Sequence, residues 1–308
     1  MELRHLRYFV AVATELHFGR AAKMLHISQP PLSMQIRALE EELGVTLLHR
    51  TRRQVSMTRA GKAFLHDASQ ILERVDQATL TARRAARGEI GELVAGFISV
   101  ADYNLLPLVL REFRRRFPLV TLSLRELTTD AQITELMEGR IDVGFLLPPV
   151  SEATIESVAI LREPLIAAIP ERHSLAKCGE TIPLASLSDA PFIMTPRQMA
   201  PGLHDDIVSF CRSAGFSPQV TQEAIQMQTI ISLVSAEMGV ALIPESLQNL
   251  KRTGVIYKRL REQSPLTEIR LAWRAGDNLP VLKQFIELAR EIAADKPNNL
   301  ATRKSKHK

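Results

Sequence analysis

The sequence predicts a multidomain α+β protein, in which a small helical unit, one long helix and a larger α/β unit follow one another. Apolar residues recur at helical spacing through the first 44 residues. A heptad pattern then runs unbroken from Phe64 to Ala85, which is typical of a long helix. From residue 91, strand-like runs alternate with amphipathic helical stretches, as they do in α/β folds.

Length and composition are those of a globular chain. The 308 residues, of which 45% are hydrophobic and 24% charged, suffice for two or more domains with cores. No apolar run approaches the roughly 20 residues that span a bilayer, and charges stand in the N-terminal segment where a signal peptide is apolar. We therefore expect a cytoplasmic protein that does not enter a membrane.

Neither the cysteines nor the histidines show the spacing of a metal or cofactor site. Cys178 and Cys211 lack a CxxC pattern, so buried or unreactive thiols are favoured over a disulfide or a metal site. The eight histidines show no paired metal-ligand spacing. We expect no metal and no cofactor.

Positive charge is concentrated at the two ends of the chain. The net charge is +5, yet residues 1–60 alone carry nine Lys or Arg against five acidic residues. Residues 296–308 add five basic residues and no acidic one, so the middle of the chain is negative. A basic N-terminal segment can steer an anionic partner, whereas we expect the tail to be disordered and to aid solubility.

Three helices are predicted in the N-terminal segment. Apolar residues spaced by three and four positions between Leu6 and Ala13 form one helical face. The Ala21-Ala22 pair lets a short second helix approach a neighbour closely. In the third helix, apolar residues from Leu32 to Leu43 bury one edge, and Gly44 ends the helix.

Two adjacent prolines open the third helix. Because amides in the first turn of a helix have no acceptor within it, Pro30 and Pro31 forfeit no hydrogen bond, and Ser28 can cap the remaining donors. Two short helices joined by a tight turn, the second with a polar N-terminus, form the helix-turn-helix that enters the major groove of DNA. The side chains expected at the DNA are those of Gln29, Pro30, Pro31, Ser33, Met34 and Arg37.

The segment after this helix pair predicts a β-wing. Residues 45–58, "VTLLHRTRRQVSMT", are first apolar, then basic, then alternating. Arg50, Arg52 and Arg53 would lie against phosphates or in the minor groove. An arginine cluster alone is more often a solvated surface, but its position directly after the helix pair favours DNA contact.

Residues 6–61 resemble the N-terminal winged helix-turn-helix of LysR-type transcriptional regulators. The resemblance is carried by the frame "F…AA…L.ISQP.LS.QI..LE..LG..L..R", which combines residue type and spacing. It implies a DNA-binding domain over residues 1–58. Where many members have arginine two residues before Ile36, this chain has Met34, so no operator preference is implied at that position.

The heptad seam predicts a dimerising linker helix over residues 59–88. Its positions, spaced alternately by four and three, are Phe64, Ala68, Ile71, Val75, Ala78 and Ala82, followed by Ala85. A helix packed on its own regulatory domain is the alternative, but an alanine-rich seam permits close pairing of two helices. The resemblance also implies a linker dimer and a dimer of dimers. Gly88 and Gly91 then mark a domain boundary.

The C-terminal half predicts an α/β unit with hydroxyl side chains at strand ends. Strands are expected near residues 93–100, 120–127, 141–147, 165–169, 240–243 and 269–273, with helices that include 107–117 and 131–137. Ser99 follows the first strand, and Thr128 with Thr129 follows the second, before Asp130 as a helix cap. Ligands of such sheets lie at the carboxyl ends of strands, although these hydroxyls are more often ordinary caps or turn residues.

This half resembles the two-subdomain, periplasmic-binding-protein-like effector domain of the same family. The resemblance rests on "EGRIDVGFLLPP", "PLASLSDAPFI" and "LVSAEMGVALIP" and implies a domain over residues 91–295. Subdomain I would comprise residues 91–161 and 268–295, and subdomain II residues 162–267. In the aromatic-catabolism branch, positions matching Ser99 and Thr128 contact the inducer carboxylate.

The resemblance also implies further effector residues. Members that respond to dicarboxylates often have arginine after Phe145, where this chain has Leu146 and Leu147. A monoanionic or largely apolar aromatic or aliphatic acid is therefore expected. The opposite wall would come from Pro201, Gly202 and Leu203, in a turn before a helix that starts near His204, and from Met227. Met227 is more often a core residue than a ligand contact.

Two other functional classes are weighed against a regulator. An enzyme is disfavoured because no GxSxG, HExxH, P-loop or GxGxxG motif is present. A solute-binding protein would require export and would not require a basic helix pair. We therefore predict a transcriptional regulator switched by a small-molecule effector, with double-stranded operator DNA, RNA polymerase and further copies of itself as partners.

Overall fold

The computed structural model describes residues 1–51, 54–150 and 152–295, which form two compact units. The first unit runs from Met1 to Arg84, and the second begins at Ala85. The basic tail predicted to be disordered, residues 296–308, lies outside the described residues. Within the described ranges, no helix is both long and apolar enough to cross a membrane.

Short helices, a β-hairpin and one long helix form the first unit. Their bounds are α1 (Leu3–Glu15), α2 (Phe18–Met24), α3 (Gln29–Leu43), β1 (Leu48–Arg50), β2 (Val55–Met57) and α4 (Arg59–Ala86). The predicted edge of α3 is buried, because Leu32, Ile36 and Leu39 have no exposed surface. The ring of Phe9 in this core meets the ring of Phe64 edge-on, with centroids 5.1 Å apart. The start of α4 therefore completes the core of the unit.

A histidine caps α2, and the cap of α3 differs from the one expected. Nδ1 of His17 accepts hydrogen bonds from the amides of Gly19 (3.1 Å) and Arg20 (3.2 Å), so a histidine caps α2. Ser28 does precede α3, but its hydroxyl makes no capping hydrogen bond, which corrects the prediction. Because the two prolines after Gln29 carry no amide hydrogen, the first turn of α3 needs less capping.

A mixed sheet forms the centre of the second unit. Its strands lie in the order β4-β3-β5-β12-β6-β11-β7, and β10 also pairs with β6. They are β3 (Ile90–Phe97), β4 (Leu119–Glu126), β5 (Val143–Leu146), β6 (Ile155–Pro170), β7 (Thr181–Ile182), β10 (Ala241–Pro244), β11 (Val255–Leu260) and β12 (Leu266–Arg274). A separate parallel pair consists of β8 (Pro191–Met194) and β9 (Gln219–Glu223).

Helices of the second unit pack on these strands. They are α5 (Ser99–Asp102), α6 (Leu106–Arg116), α7 (Thr129–Met137), α8 (Pro201–Ser213), α9 (Met227–Ser235) and α10 (Pro280–Ala294). Phe285 of α10 meets Phe113 of α6 and Phe145 of β5 edge-on, with centroid distances of 5.0 and 6.1 Å. These aromatic contacts join both helices to the sheet.

The predicted strands are found with ends displaced by a few residues, except for β6. That strand was expected over residues 165–169 but begins at Ile155. The charged residues Arg162 and Glu163, followed by Pro164, interrupt its apolar pattern and conceal the first half. Its first half pairs with β12, whereas residues 165–170 pair with β10 and β11.

The boundaries predicted for the two subdomains cross this strand pair. They fall after Leu161 and before Glu268, and in the structure Leu161 pairs with Ile269 and Arg162 with Glu268. Nη2 of Arg162 also lies 2.6 Å from Oε2 of Glu268. The pairing register shifts between Ile269 and Arg270. At the position of the predicted boundary, the chain thus crosses as a two-stranded antiparallel ribbon.

Candidate functional site

The first turns of α3 expose the side chains that the sequence predicts at the DNA. Gln29, Pro30, Pro31, Met34 and Arg37 are exposed, and Ser33 is half-buried. Among the described residues, neither Gln29 nor Arg37 has a side-chain hydrogen-bond or ion-pair partner. The opposite edge of α3 lies in the core, so this face is free to meet a ligand.

Arg50 is half-buried and makes contacts within the first unit, so its predicted role in DNA contact stays a prediction. Its Nη2 lies 2.5 Å from Oε2 of Glu40, and both side chains are largely buried. Its guanidinium carbon lies 5.1 Å from the centre of the Phe18 ring. Arg52 and Arg53, the other arginines predicted at the DNA, lie outside the described residues.

The predicted dimer seam on α4 divides into two parts. Ala68 is fully buried in the core of the first unit, which corrects its assignment as a dimer contact, and Phe64 packs half-buried on that same core. The seam beyond them reaches the surface: Ile71 is 42% exposed, Val75 is half-buried, and Ala78 and Ala82 are exposed. The exposed part of the predicted seam therefore begins at Ile71.

A cleft in the second unit brings together five of the predicted effector residues. Its lining contains Ser99, Thr128, Thr129, Leu147 and Met227, together with Ile98, Val100, Glu126, Leu127, Thr195, Met199, Ala200, Ile225 and Gln226. The cleft contains about 450 Å³ of empty space, part of which is open to solvent. Five of the residues predicted at the effector thus line one open cleft.

The register of β3 and β4 places Ser99 and Thr128 just beyond neighbouring strand ends. These strands are parallel and pair Phe97 with Glu126, so Ser99 and Thr128 each follow a paired position by two residues. Thr128 precedes α7, but its side chain makes no capping hydrogen bond. Thr128 rather than Asp130 thus occupies the cap position of α7, which corrects the expected cap.

The neighbouring hydroxyl of Thr129 has a structural partner. Its Oγ1 accepts a hydrogen bond from the amide of Leu147 at 3.2 Å. This bond ties the start of α7 to the end of β5, where Leu147 leaves the sheet. Thr129 therefore shapes the cleft, while Thr128 retains a hydroxyl for a ligand.

Three helices of the second unit begin at or beside residues that line the cleft. α7 begins at Thr129, and α9 begins at Met227 after Gln226, whose side chain makes no capping hydrogen bond. α8 begins after Ala200, another lining residue. The described lining contains no Lys, Arg or His, and Glu126 is its charged member. Amides at helix N-termini are therefore the main source of attraction for an anion.

Pro201, Gly202 and Leu203, predicted as the opposite wall, lie beside the cleft, and their contact with an effector stays a prediction. They form the first turn of α8, which therefore begins before His204. Gly202 and Leu203 line an adjoining crevice of about 300 Å³ with Leu147, Pro148, Asp206, Leu266, Thr267 and Glu268. A Cβ at Gly202 would lie 2.8 Å from the carbonyl oxygen of Pro148, so glycine permits this close approach.

The lining of the crevice contains two carboxylates, those of Asp206 and Glu268. Glu268 pairs with Arg162 and Arg270. The pKa of the Asp206 carboxyl is raised, first by desolvation and second by the negative charge of Asp205. The crevice thus contains one carboxylate paired with arginines and one, Asp206, whose charged form is disfavoured by its surroundings.

Sequence reasoning missed Thr195 in the cleft lining. It follows β8 directly and is only 7% exposed, and its Oγ1 has no hydrogen-bond partner among the described residues. Its carbonyl oxygen lies 3.0 Å from Nδ1 of His204. The signal that could have identified it is a hydroxyl residue after a buried strand, the same pattern that identified Thr128.

Both parts of the chain match models of known protein families. The model of the bacterial regulatory helix-turn-helix protein, LysR family, matches residues 3–62, and that of the LysR substrate binding domain matches residues 86–294. The transcriptional regulator AlsR of Bacillus subtilis is 42% identical over 289 residues, which cover 94% of this chain and 95% of AlsR.

Solved structures agree over nearly the full length. CbnR, a LysR family transcriptional regulator, has a TM-score of 0.87 at 35% identity, with 94% of this chain and 100% of CbnR covered. Full-length CbnR in complex with its target DNA has a TM-score of 0.82 at 34% identity, with 95% and 100% covered. The similarity thus extends to a protein solved on its DNA.

Proposed function

The chain belongs to the LysR family of bacterial transcriptional regulators, and from that premise we propose how it recognises its two ligands. It is a DNA-binding regulator with an effector-binding domain, not an enzyme. We propose that the first turns of α3, from Gln29 to Arg37, read the operator in the major groove. We further propose that the effector is a small monocarboxylic acid held in the cleft beside Ser99 and Thr128.

The pair of strand-end hydroxyls carries this proposal. Ser99 and Thr128 follow paired positions of adjacent parallel strands, and Thr128 makes no capping hydrogen bond to its own helix. Two hydroxyl donors and nearby helix amides suit the oxygens of one carboxylate. A second carboxylate would find no basic side chain in the described lining, so a monoanion is favoured over a dianion.

The proposal also covers how copies of the protein assemble and where in the cell they act. We propose that α4 pairs through Ile71, Val75, Ala78 and Ala82 and that such dimers associate into a dimer of dimers. As a regulator bound to chromosomal DNA, the protein would act in the cytoplasm and contact RNA polymerase. An effector changes transcription only if it binds one arrangement of the assembly more tightly than another.

Effector binding to hydroxyl variants of the full chain tests the site. A thermal-shift screen of small organic acids identifies a ligand, because saturation at 100 times Kd adds about 2.7 kcal/mol of stability. Calorimetry should then show binding weakened roughly 10- to 100-fold by Ser99→Ala or Thr128→Val, since each removes a hydrogen bond to a charged group. Operator affinity without effector should be unchanged.

Thr134→Val is the matched control. Thr134 lies on the exposed side of α7, and its hydroxyl bonds to the carbonyl oxygen of Asp130 on the same helix. This variant should bind the acid as the wild-type protein does. If Ser99→Ala and Thr128→Val also bind it with unchanged affinity, the effector occupies another site.

A further inference from the structure

Thr195 presents a buried hydroxyl that the fold itself does not use. The residue lines the cleft with 7% of its surface exposed, and its buried Oγ1 makes no hydrogen bond to any described residue. Most buried polar groups in proteins have a partner, because an unpartnered one loses its hydration without compensation. A side chain kept in this condition at a ligand cleft indicates a contact that forms with the ligand.

The backbone around Thr195 holds this hydroxyl in position. Nδ1 of His204, from α8, lies 3.0 Å from the carbonyl oxygen of Thr195. One residue earlier, the carbonyl oxygen of Met194 accepts the amide of Ala224 at 3.1 Å. Thr195 is therefore anchored on the β8–β9 pair, whereas Ser99 and Thr128 follow strands of the larger sheet.

We propose that Thr195 is a second polar contact for the effector and that the effector carries a hydroxyl or carbonyl oxygen away from its carboxylate. This inference rests on the proposed function, in which Ser99 and Thr128 hold the carboxylate. A threonine hydroxyl donates to a carbonyl oxygen and either donates to or accepts from an alcohol. The proposed class of effector thus narrows from small acids to small hydroxy or oxo acids.

The charges of the cleft favour a neutral oxygen at Thr195 over a second carboxylate. Glu126 is the charged residue of the described lining, and it would repel a dianion. A neutral oxygen needs one hydrogen bond to offset its loss of water, whereas a carboxylate would need a cation or several donors. The hydroxyl of Thr195 provides that one bond.

Pairs of acids that differ by one oxygen test the inference on the full-length protein. The probes are butanoate with 3-hydroxybutanoate and 3-oxobutanoate, and benzoate with 3-hydroxybenzoate. The wild-type protein should bind the oxygenated member of at least one pair about tenfold more tightly, as one hydrogen bond in a buried site provides. Thr195→Val, which replaces the hydroxyl with a methyl group, should abolish this preference and leave the affinity for the unsubstituted acid unchanged.

Ser99→Ala separates this inference from the proposed function. That variant should weaken both members of a pair by the same factor, because it acts on the carboxylate they share. If the acids bind and respond to Ser99→Ala, but the preference persists in Thr195→Val, the inference is wrong and the proposed function stands. If they bind without any response to Ser99→Ala, the carboxylate site is wrong and the inference loses its premise. Failure of all five acids to bind would contradict both.

A measurement without ligand gives an independent readout. Since Thr195→Val removes an unpartnered buried hydroxyl, it should raise the Tm of the ligand-free protein by about 2–4 °C. Thr267→Val is the matched control, because Thr267 is 6% exposed, its Oγ1 also has no partner among the described residues, and it lines the adjoining crevice. It should raise Tm likewise but leave the preference for oxygenated acids intact. A lowered Tm in Thr195→Val would show that the hydroxyl already has a partner and overturn the inference.

Discussion

At the scale of single residues, Glu40 joins α3 to the β-hairpin. Its Oε1 accepts hydrogen bonds from the amides of Leu47 (2.8 Å) and Leu48 (3.0 Å), and its Oε2 pairs with Arg50. The side chain is only 13% exposed, so these bonds are shielded from water. One carboxylate thus fixes the start of β1 relative to α3.

Glu40→Ala should destabilise the first unit by about 3 kcal/mol, because it leaves two amides and one guanidinium without their buried acceptor. Urea unfolding followed by circular dichroism measures the loss. Trp273, the single tryptophan, belongs to the second unit, and its fluorescence transition should not move. The control is Glu41→Ala, since Glu41 is exposed and should tolerate the change within about 0.5 kcal/mol. Equal losses in both variants would contradict the role given to Glu40.

The sequence predicts some of these residue roles and conceals others. Ser99 and Thr128 are predictable because parallel strands bring their carboxyl ends to one edge. Glu40 is not predictable, since it stands in a run of three glutamates whose burial depends on where the hairpin folds back. The role of Thr195 is not predictable either, because its lack of a hydrogen-bond partner depends on packing and leaves no pattern in the local sequence.

At the scale of secondary-structure elements, α4 serves two purposes along its length. Its first part completes the core of the first unit through Ala68 and Phe64, and its seam from Ile71 onward has no partner in the described chain. The heptad pattern predicts the helix but does not distinguish the two parts. Only the packing in the structure distinguishes the two parts, because core contacts and dimer contacts both require apolar residues at these positions.

Ile71→Asp should convert the assembly to monomers and reduce operator affinity. The change places a charge from each copy in an apolar contact, where desolvation is costly and like charges repel. Analytical ultracentrifugation measures the assembly, and a gel shift measures DNA binding. Gln77→Asp adds the same charge to an exposed, off-seam position of α4 and should leave the assembly intact. Unchanged sedimentation of Ile71→Asp would exclude the proposed seam.

At the scale of the whole molecule, the two halves predicted for the effector domain share one sheet ribbon. β6 and β12 cross the predicted boundary while hydrogen-bonded to each other, with Arg162 paired to Glu268 at the crossing. A change in the angle between the halves would therefore bend or twist paired strands. The sequence did not predict this connection, because charges and a proline divide the pattern of β6.

Because the described cleft lining contains no basic side chain, binding of the acid and binding of the operator should differ in their dependence on salt. DNA binding releases counterions, so operator affinity should fall by several powers of ten between about 50 and 200 mM salt. Acid binding through hydroxyls and helix amides releases few ions, and its Kd should change less than about threefold over that interval. Isothermal titrations at both ionic strengths check this, and a steep salt dependence of acid binding would reveal a cation in the site. If the difference holds, ionic strength can be used to weaken the operator complex while the effector remains bound.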